Sequence, residues 1–123
     1  MAYESFENVT VWQKGMELAQ SVYSMTERLP RKEDFGLTSQ IRRSALSVPG
    51  NIAEGFGRKH TKDKLNFYYA SRGSLTETKS HLIYGLRVGY FENGSFCLQL
   101  QLIDTIWNEL NRLIKTLSKR TEP

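Results

Sequence analysis

The C-terminal part of the chain carries an apolar repeat that constrains the fold more than any other feature of the sequence. Apolar side chains recur there at intervals of seven residues, with others at intervening positions: Phe96, Ile103, Leu110, Leu117, Ile106, Leu113, Leu100, Trp107 and Ile114. A helix brings residues that are three, four and seven apart onto one face. The repeat therefore predicts a helix over about 95–119, capped by Ser95 and packed against other helices along its length.

Three more segments with helical spacing precede this one, over about 10–29, 34–55 and 61–88. No segment has the alternation of a strand, and the connections are short, so consecutive helices should be antiparallel neighbours. The chain has 123 residues, which suits one domain with a continuous core. The sequence therefore predicts an all-α fold, an up-down-up-down four-helix bundle with a proline-kinked second helix, spanning 1–123 as a single domain.

The ends of these helices are assigned to residues that start or stop helices. Pro30 should stop the first helix, because proline disfavours helical geometry in the residue before it. Asp34 and Thr61 are the predicted N-terminal caps of the second and third helices. The glycines of Gly55-Phe56-Gly57 should close the second helix in a left-handed conformation, and Gly89 should close the third.

The second helix contains a proline in its middle, within the stretch QIRRSALSVPGNIAEGFGR. Pro49 cannot donate a hydrogen bond to the carbonyl of Ala45, so we expect a kink that costs about 3 kcal/mol. Ser44, Ser47 and Asn51 lie beside it and can hydrogen-bond to the backbone groups that the kink releases. The polar residues of this stretch are thus predicted to compensate for the proline.

Two adjacent arginines in the same stretch admit two interpretations. In the structural one, Arg42 or Arg43 pairs with Glu54 or with Glu77 of the third helix, because a buried arginine without a partner is strongly unfavourable. In the functional one, an arginine freed from pairing presents its planar guanidinium to phosphate or to a partner's carboxylate. We expect a polar network here that is either structural or a ligand site, and its members are Arg42, Arg43, Asn51, Glu54 and Glu77.

The first helix has a wider apolar face than one neighbouring core requires. Trp12, Met16 and Tyr23 form a second stripe beside the apolar residues that should face the core. We expect this stripe to meet another helix of the bundle or another subunit. Trp12, Met16 and Tyr23 are therefore the predicted oligomer interface.

The charge of the chain is modest but concentrated. Seventeen basic and thirteen acidic residues give a net charge of +4. Four cations and one carboxylate fall in the segment 58–64, and the cations are Arg58, Lys59, Lys62 and Lys64. A loop of this kind is either solvated or attracts phosphate, which makes these four residues the candidate nucleic-acid site. No secretory signal or membrane-spanning run precedes or interrupts the helices, so a cytoplasmic protein is expected.

No group of residues indicates catalysis or a metal. His60 and His81 are the only histidines, and Glu77 and His81 form a single pair at a spacing of four, whereas di-metal bundles repeat a spacing of three on two helices. The lone Cys97 allows no internal disulfide. We therefore expect no enzyme activity, no catalytic residue, no metal and no cofactor.

Several stretches together resemble a known family. FENVTVWQKGMELA, QIRRSALSVPGNIAEGFGR, ASRGSLTE and the L-x-V-G-Y end of the third helix are similar to the four-helix-bundle proteins of the 23S rRNA intervening-sequence family. The resemblance implies a small bacterial protein that assembles as a ring, typically a pentamer, without catalytic activity. A structurally similar group of retroelement accessory proteins works with reverse transcriptase and nucleic acid. Lys79 departs from the acidic residue expected there, which removes one possible partner of Arg42 or Arg43.

Two functions follow from these expectations. The first is a homo-oligomer that binds RNA or single-stranded DNA, in which a ring multiplies weak contacts made by each basic loop. The second is a scaffold that holds a protein, such as one associated with nucleic acid, without touching nucleic acid itself. Neither requires a membrane.

Overall fold

Four helices account for most of the chain in the computed structural model, which describes residues 5–94 and 96–120. They are α1 (Thr10–Thr26), α2 (Leu37–Gly57), α3 (Thr61–Arg87) and α4 (Cys97–Lys119). Short 3-10 helices, Phe6–Asn8 and Arg31–Glu33, precede α1 and α2. Within these two described ranges there is no strand, so the predicted all-α class is confirmed.

The helices form a closed bundle in chain order. α1 packs against α2 and α4, and α3 packs against the same two helices, whereas the diagonal pairs do not approach each other. Across α2 and α3, Arg43 meets Glu77 while Gly55 meets Lys64, so the two helices run in opposite directions. The fold is therefore the predicted four-helix bundle.

The core lies along the axis between the four helices. Its fully buried apolar side chains come from every helix: Leu18, Val22, Ile41, Val48, Ile52, Leu75, Leu82, Ile106 and Leu110. Most of the heptad positions of α4 are buried, as the repeat predicts, but Trp107 is 40% exposed. The buried face of α4, its seam, is therefore narrower than the apolar face that the sequence predicts, and Trp107 lies at the outer edge of this seam.

Helix α2 begins later than predicted, because its cap is a different residue. The helix starts at Leu37, and the amide of Leu37 donates to Glu33 Oε1 at 3.1 Å. Asp34 is instead the residue that follows the preceding 3-10 helix. The other carboxylate oxygen of Glu33 accepts from the Tyr90 hydroxyl at 2.8 Å, which fastens this turn to the α3–α4 turn.

The other helix ends also differ from the sequence-based assignments. Helix α1 ends at Thr26, before the expected Leu29, and Thr61 is the first residue of α3, with no side-chain cap at its N-terminus. Gly89 has the positive φ of 88° that the prediction requires at the end of α3, but Gly57 does not adopt this conformation. Ser95, the expected cap of α4, lies outside the described residues.

Pro49 lies inside an uninterrupted α2 and faces α1. A Cβ atom added to Gly15 of α1 would lie 3.2 Å from Pro49 Cβ, so glycine permits the two helices to approach closely here. The nearby polar side chains donate to backbone carbonyls as expected: Ser44 to Ile41, Ser47 to Arg43 and Asn51 to Ser47. None of the three donates to the carbonyl of Ala45. The kink itself stays a prediction.

The Glu33 cap should make stability depend on acidity. The hydrogen bonds from Leu37 and Tyr90 hold the pKa of the Glu33 carboxyl below its ordinary value of 4.5. A carboxyl with a lowered pKa in the folded state stabilises the fold above its unfolded pKa, and this contribution is lost as the pH falls through the folded pKa. We expect Glu33→Gln to flatten the fall in melting temperature below about pH 4.5.

Thermal melts followed by circular dichroism between neutral and acidic pH would measure this effect. Asp34→Asn is the matched control, because it removes the neighbouring carboxylate, which caps no helix. The assignment of the cap is wrong if Glu33→Gln and Asp34→Asn have the same pH dependence as the unmodified chain.

Candidate nucleic-acid interface and polar network

The basic segment 58–64 forms the turn between α2 and α3 and the first turn of α3. Lys59 and Lys62 are exposed and make no ion pair within the described part of the chain. Their ammonium groups are available to an anion. Lys62 lies in the first turn of α3, where exposed backbone amides also carry partial positive charge.

Lys64 has a structural role that the sequence did not reveal. Its ammonium donates to the carbonyls of Phe56 at 2.8 Å and Gly55 at 3.2 Å, the last turn of α2. Partial burial lowers the pKa of this amine. The lysine takes the place of the predicted left-handed glycine as the C-terminal cap of α2, and it is occupied rather than open to a ligand.

Arg58 is partly neutralised. Its Nε lies 3.5 Å from Glu54 Oε2, and its guanidinium lies 4.8 Å from the centre of the Phe67 ring. Both side chains of the ion pair are about half exposed, so the pair contributes little to stability. Glu54 was expected to pair with Arg42 or Arg43 but instead pairs with Arg58, which follows the last residue of α2.

The C-terminal turns of α4 add cations to the same end of the bundle. Because α4 is antiparallel to α3, its last residues lie at the end where α3 begins. Lys115, Lys119 and Arg120 are exposed there. The sequence contains these residues, but only the order of the helices shows that they share an end with Lys59 and Lys62. We call Lys59, Lys62, Lys115, Lys119 and Arg120 the basic end.

Arg43 and Glu77 form an ion pair between α2 and α3, and Gln40 Oε1 accepts from Arg43 at 3.3 Å. His81 Nε2 lies 3.1 Å from the same carboxylate oxygen of Glu77. The Arg43 side chain remains 55% exposed and the Glu77 side chain 37%. This part of the polar network is a surface contact between helices, which accounts for one of the two arginines.

Arg42 has a different environment, since consecutive helix positions point in different directions. Its Nε donates to Thr26 Oγ1 at 2.8 Å, and one terminal nitrogen donates to the Tyr23 carbonyl at 3.3 Å. The guanidinium lies 4.2 Å from the centre of the Tyr23 ring. Among the residues described, no carboxylate pairs with Arg42, so neither Glu54 nor Glu77 is its partner.

The outer face between α1 and α2 holds two of the three residues expected at an oligomer interface. A groove of about 240 Å³ is lined by Met16, Ala19, Gln20, Tyr23, Arg42 and Leu46. Tyr23 is 56% exposed and Leu46 is 61% exposed. Trp12 is partly buried against the core and meets the edge of the Phe6 ring, with centroids 5.0 Å apart. Leu46 is an exposed apolar residue of this face that sequence reasoning missed.

Within residues 5–94 and 96–120, no three histidine, cysteine or carboxylate side chains come together in a way that could hold a metal ion. No helix in the same ranges has both the length and the apolar character that a membrane span requires. The fold and its surface define a helical bundle with one cationic end and an exposed apolar groove.

Comparison with known proteins places this bundle in a family. The family model described as "23S rRNA-intervening sequence protein" matches residues 7–116, and the chain belongs to that family. A similar crystal structure, from Bacteroides thetaiotaomicron, is described as a protein with unknown function from the S23 ribosomal protein family. It is 22% identical, with a TM-score of 0.60, over 92% of this chain and 99% of that one. None of the curated proteins matches the chain.

The two lysines with different surroundings should respond differently to substitution. Lys64→Met keeps the aliphatic stem but leaves the carbonyls of Gly55 and Phe56 without their charged donor, so we expect a loss of about 1 kcal/mol in unfolding free energy. Lys59→Met, the matched control, should change it by less than about 0.5 kcal/mol, because Lys59 is exposed and forms no ion pair with another described residue. Urea unfolding measures both. Equal effects would contradict the capping role of Lys64.

Proposed function

We propose that this chain is a cytoplasmic, non-enzymatic, homo-oligomeric bundle that binds RNA or another nucleic acid through its basic end. The observation that carries the proposal is the collection of exposed cations at one end: Lys59, Lys62, Lys115, Lys119 and Arg120. Arg58 adds a guanidinium that is only partly neutralised by Glu54. The family description, which refers to a sequence within 23S rRNA, supports nucleic acid as the polyanion.

Each chain offers few phosphate contacts, so useful affinity depends on repetition. Linked sites bind with an effective concentration that raises the affinity well beyond that of a single site. Lysines contact phosphates but read no bases, so this contribution to binding should be tolerant of sequence and sensitive to salt.

The groove between α1 and α2 is the proposed site of assembly. It combines exposed apolar side chains, Tyr23 and Leu46, with the small residue Ala19 and the flexible Met16. Burying an apolar patch of this kind is the usual driving force for subunit association. The resemblance to ring-forming relatives suggests a pentamer, in which each groove contacts a different surface of the next copy.

A protein-binding scaffold is the second candidate, and Arg42 favours it. Its guanidinium lies in the apolar groove and has no carboxylate partner among the residues that the structure describes. A carboxylate from a partner protein could accept two parallel hydrogen bonds from such a group. In this case, one protein would co-purify with the chain and remain bound after nuclease treatment.

Assembly through the groove can be tested with a matched pair of leucines. Leu46 is 61% exposed inside the groove and Leu98 is 58% exposed on α4. We expect light scattering at micromolar concentration to show an oligomer for the unmodified chain and for Leu98→Lys, but a smaller species for Leu46→Lys, because the buried ammonium would lie beside the like charge of Arg42. If the unmodified chain is a monomer under these conditions, the proposal that assembly raises the affinity for nucleic acid is wrong.

Nucleic-acid binding can be tested by comparing two double variants that each remove two positive charges, one pair at the basic end and one pair at the opposite end of the bundle. We expect Lys59→Gln with Lys62→Gln to weaken binding of a single-stranded RNA. The slope of the logarithm of the binding constant against the logarithm of the salt concentration should become shallower by about 0.7 for each phosphate that the variant no longer neutralises. Fluorescence anisotropy across salt concentrations measures both quantities.

Arg31→Gln with Lys32→Gln is the control, because these exposed cations precede α2 at the opposite end. Their replacement removes the same net charge and should leave most of the affinity. If both double variants lose the same affinity, the basic end is not the binding site. If the unmodified chain shows no salt-sensitive binding, the proposed function is wrong.

A further inference from the structure

A cluster of two aromatic rings and an arginine lies on the outer face between α3 and α4. The Arg72 guanidinium lies 5.2 Å from the centre of the Tyr69 ring and 5.6 Å from that of Trp107. Arg72 Nη1 also donates to Asn111 Oδ1 at 2.9 Å, which joins α3 to α4. We call Tyr69, Arg72 and Trp107 the aromatic platform.

The platform is open to solvent and uncompensated in charge. Tyr69 is 44% exposed and Trp107 is 40% exposed with the guanidinium in place. No carboxylate within the described ranges pairs with Arg72. Burial would stabilise aromatic rings of this size, so their exposure around a cation with no carboxylate partner in the described part of the chain is typical of a surface that meets a ligand.

A groove of about 270 Å³ adjoins the platform. Trp107 forms part of its wall, together with Thr76, Lys79 and Asp104. The groove therefore presents an aromatic wall, a cation that can contact phosphate, and a carboxylate that can accept a hydrogen bond from an amino group. This is the set of contacts by which proteins hold an unpaired nucleobase.

Two polar stripes connect the platform with the basic end. On α3, Lys62, Asn66 and Tyr69 are exposed at spacings of four and three, so they lie on one side of the helix. On α4, Lys115 lies two turns beyond Trp107, toward the basic end. At 1.5 Å per residue, Tyr69 is about 10 Å along the helix from Lys62.

We propose that the aromatic platform stacks unpaired bases of a single-stranded nucleic acid whose phosphates are held at the basic end. The proposal rests on the proposed function and adds to it a preference for single strands over duplexes. Aromatic side chains and arginine stack on the faces of all bases, so binding should tolerate sequence while requiring unpaired bases. A duplex keeps its bases stacked inside the helix and cannot offer them to the platform.

Charge argues against a second copy of this chain as the occupant of the face. The face carries Arg72 and Lys79 against one carboxylate, Asp104, and a copy with a net charge of +4 complements it less well than a polyanion does. A single-stranded polyanion complements both the cations and the aromatic rings. Coverage by a second copy is nevertheless an outcome that acrylamide quenching of Trp107 detects.

The test uses the fluorescence of Trp107 in the full chain. The chain has two tryptophans, so Trp12→Phe leaves Trp107 as the only one. We expect a single-stranded oligouridine to quench this emission through stacking, and a duplex RNA of equal length to quench it far less. Acrylamide should quench Trp107 readily in the free protein, because the side chain is exposed.

Variants of the platform separate stacking from charge. Tyr69→Leu should weaken oligouridine binding by about 5-fold or more. Tyr84→Leu is the matched control, a 53% exposed tyrosine elsewhere on α3, and should leave binding unchanged. Arg72→Lys keeps the charge but loses the planar group, so it should reduce the quenching of Trp107 without changing the salt dependence. Circular dichroism melts check that each variant folds.

Three outcomes would overturn the proposal. If Tyr69→Leu binds oligouridine as well as Tyr84→Leu does, while Lys59→Gln with Lys62→Gln still weakens binding, the platform is wrong and the proposed function stands. If acrylamide cannot reach Trp107 in the free oligomer, another copy covers this face. If no nucleic acid binds the unmodified chain, the proposed function fails and the platform with it.

Discussion

The packing of α2 against α3 is the contact on which the rest of the structure depends. Within the core, Ser71 donates to the Val48 carbonyl at 2.8 Å, and Thr78 donates to Ser44 Oγ at 2.9 Å. All four residues are fully buried, so these bonds form where water cannot replace them. They favour one register between the two helices, because a shift of either helix would leave the buried Ser71 hydroxyl without its acceptor. Ser44 and Thr78 also bond to carbonyls of their own helices, so their contact adds geometry more than it satisfies a donor.

That register determines which polar groups remain available on the surface. It brings Lys64 to the last carbonyls of α2 and Glu77 to Arg43, and so commits two cations to structure. It leaves Lys59 and Lys62 at the turn without partners among the described residues. Arg42 points to α1 instead, where a hydroxyl, a carbonyl and an aromatic face receive it in place of a carboxylate. The adjacent arginines thus contact different helices because they are separated by one helix position.

The sequence predicts the bundle well but its helix ends poorly, and the reason is physical. Periodicity reports burial, which is summed over a whole helix, so the buried seam of α4 could be identified from Ile106, Leu110 and their neighbours. A cap depends on one side chain reaching one group. Glu33 rather than Asp34 reaches the amide of Leu37, and a lysine from the next helix replaces the expected glycine at the end of α2.

The candidate site, too, could be predicted from the sequence only in part. Composition identifies the basic segment, but a count of lysines does not show that Lys64 is occupied or that the end of α4 joins the others. The platform was harder still to predict, since Trp107 belongs to the apolar repeat and its periodicity favours burial. The structure shows that the Trp107 ring faces outward, because it is exposed and packs with Tyr69 around the Arg72 guanidinium and not inside the bundle. For a residue at the edge of a buried helix face, periodicity alone therefore cannot show whether the side chain packs in the core or contacts a ligand.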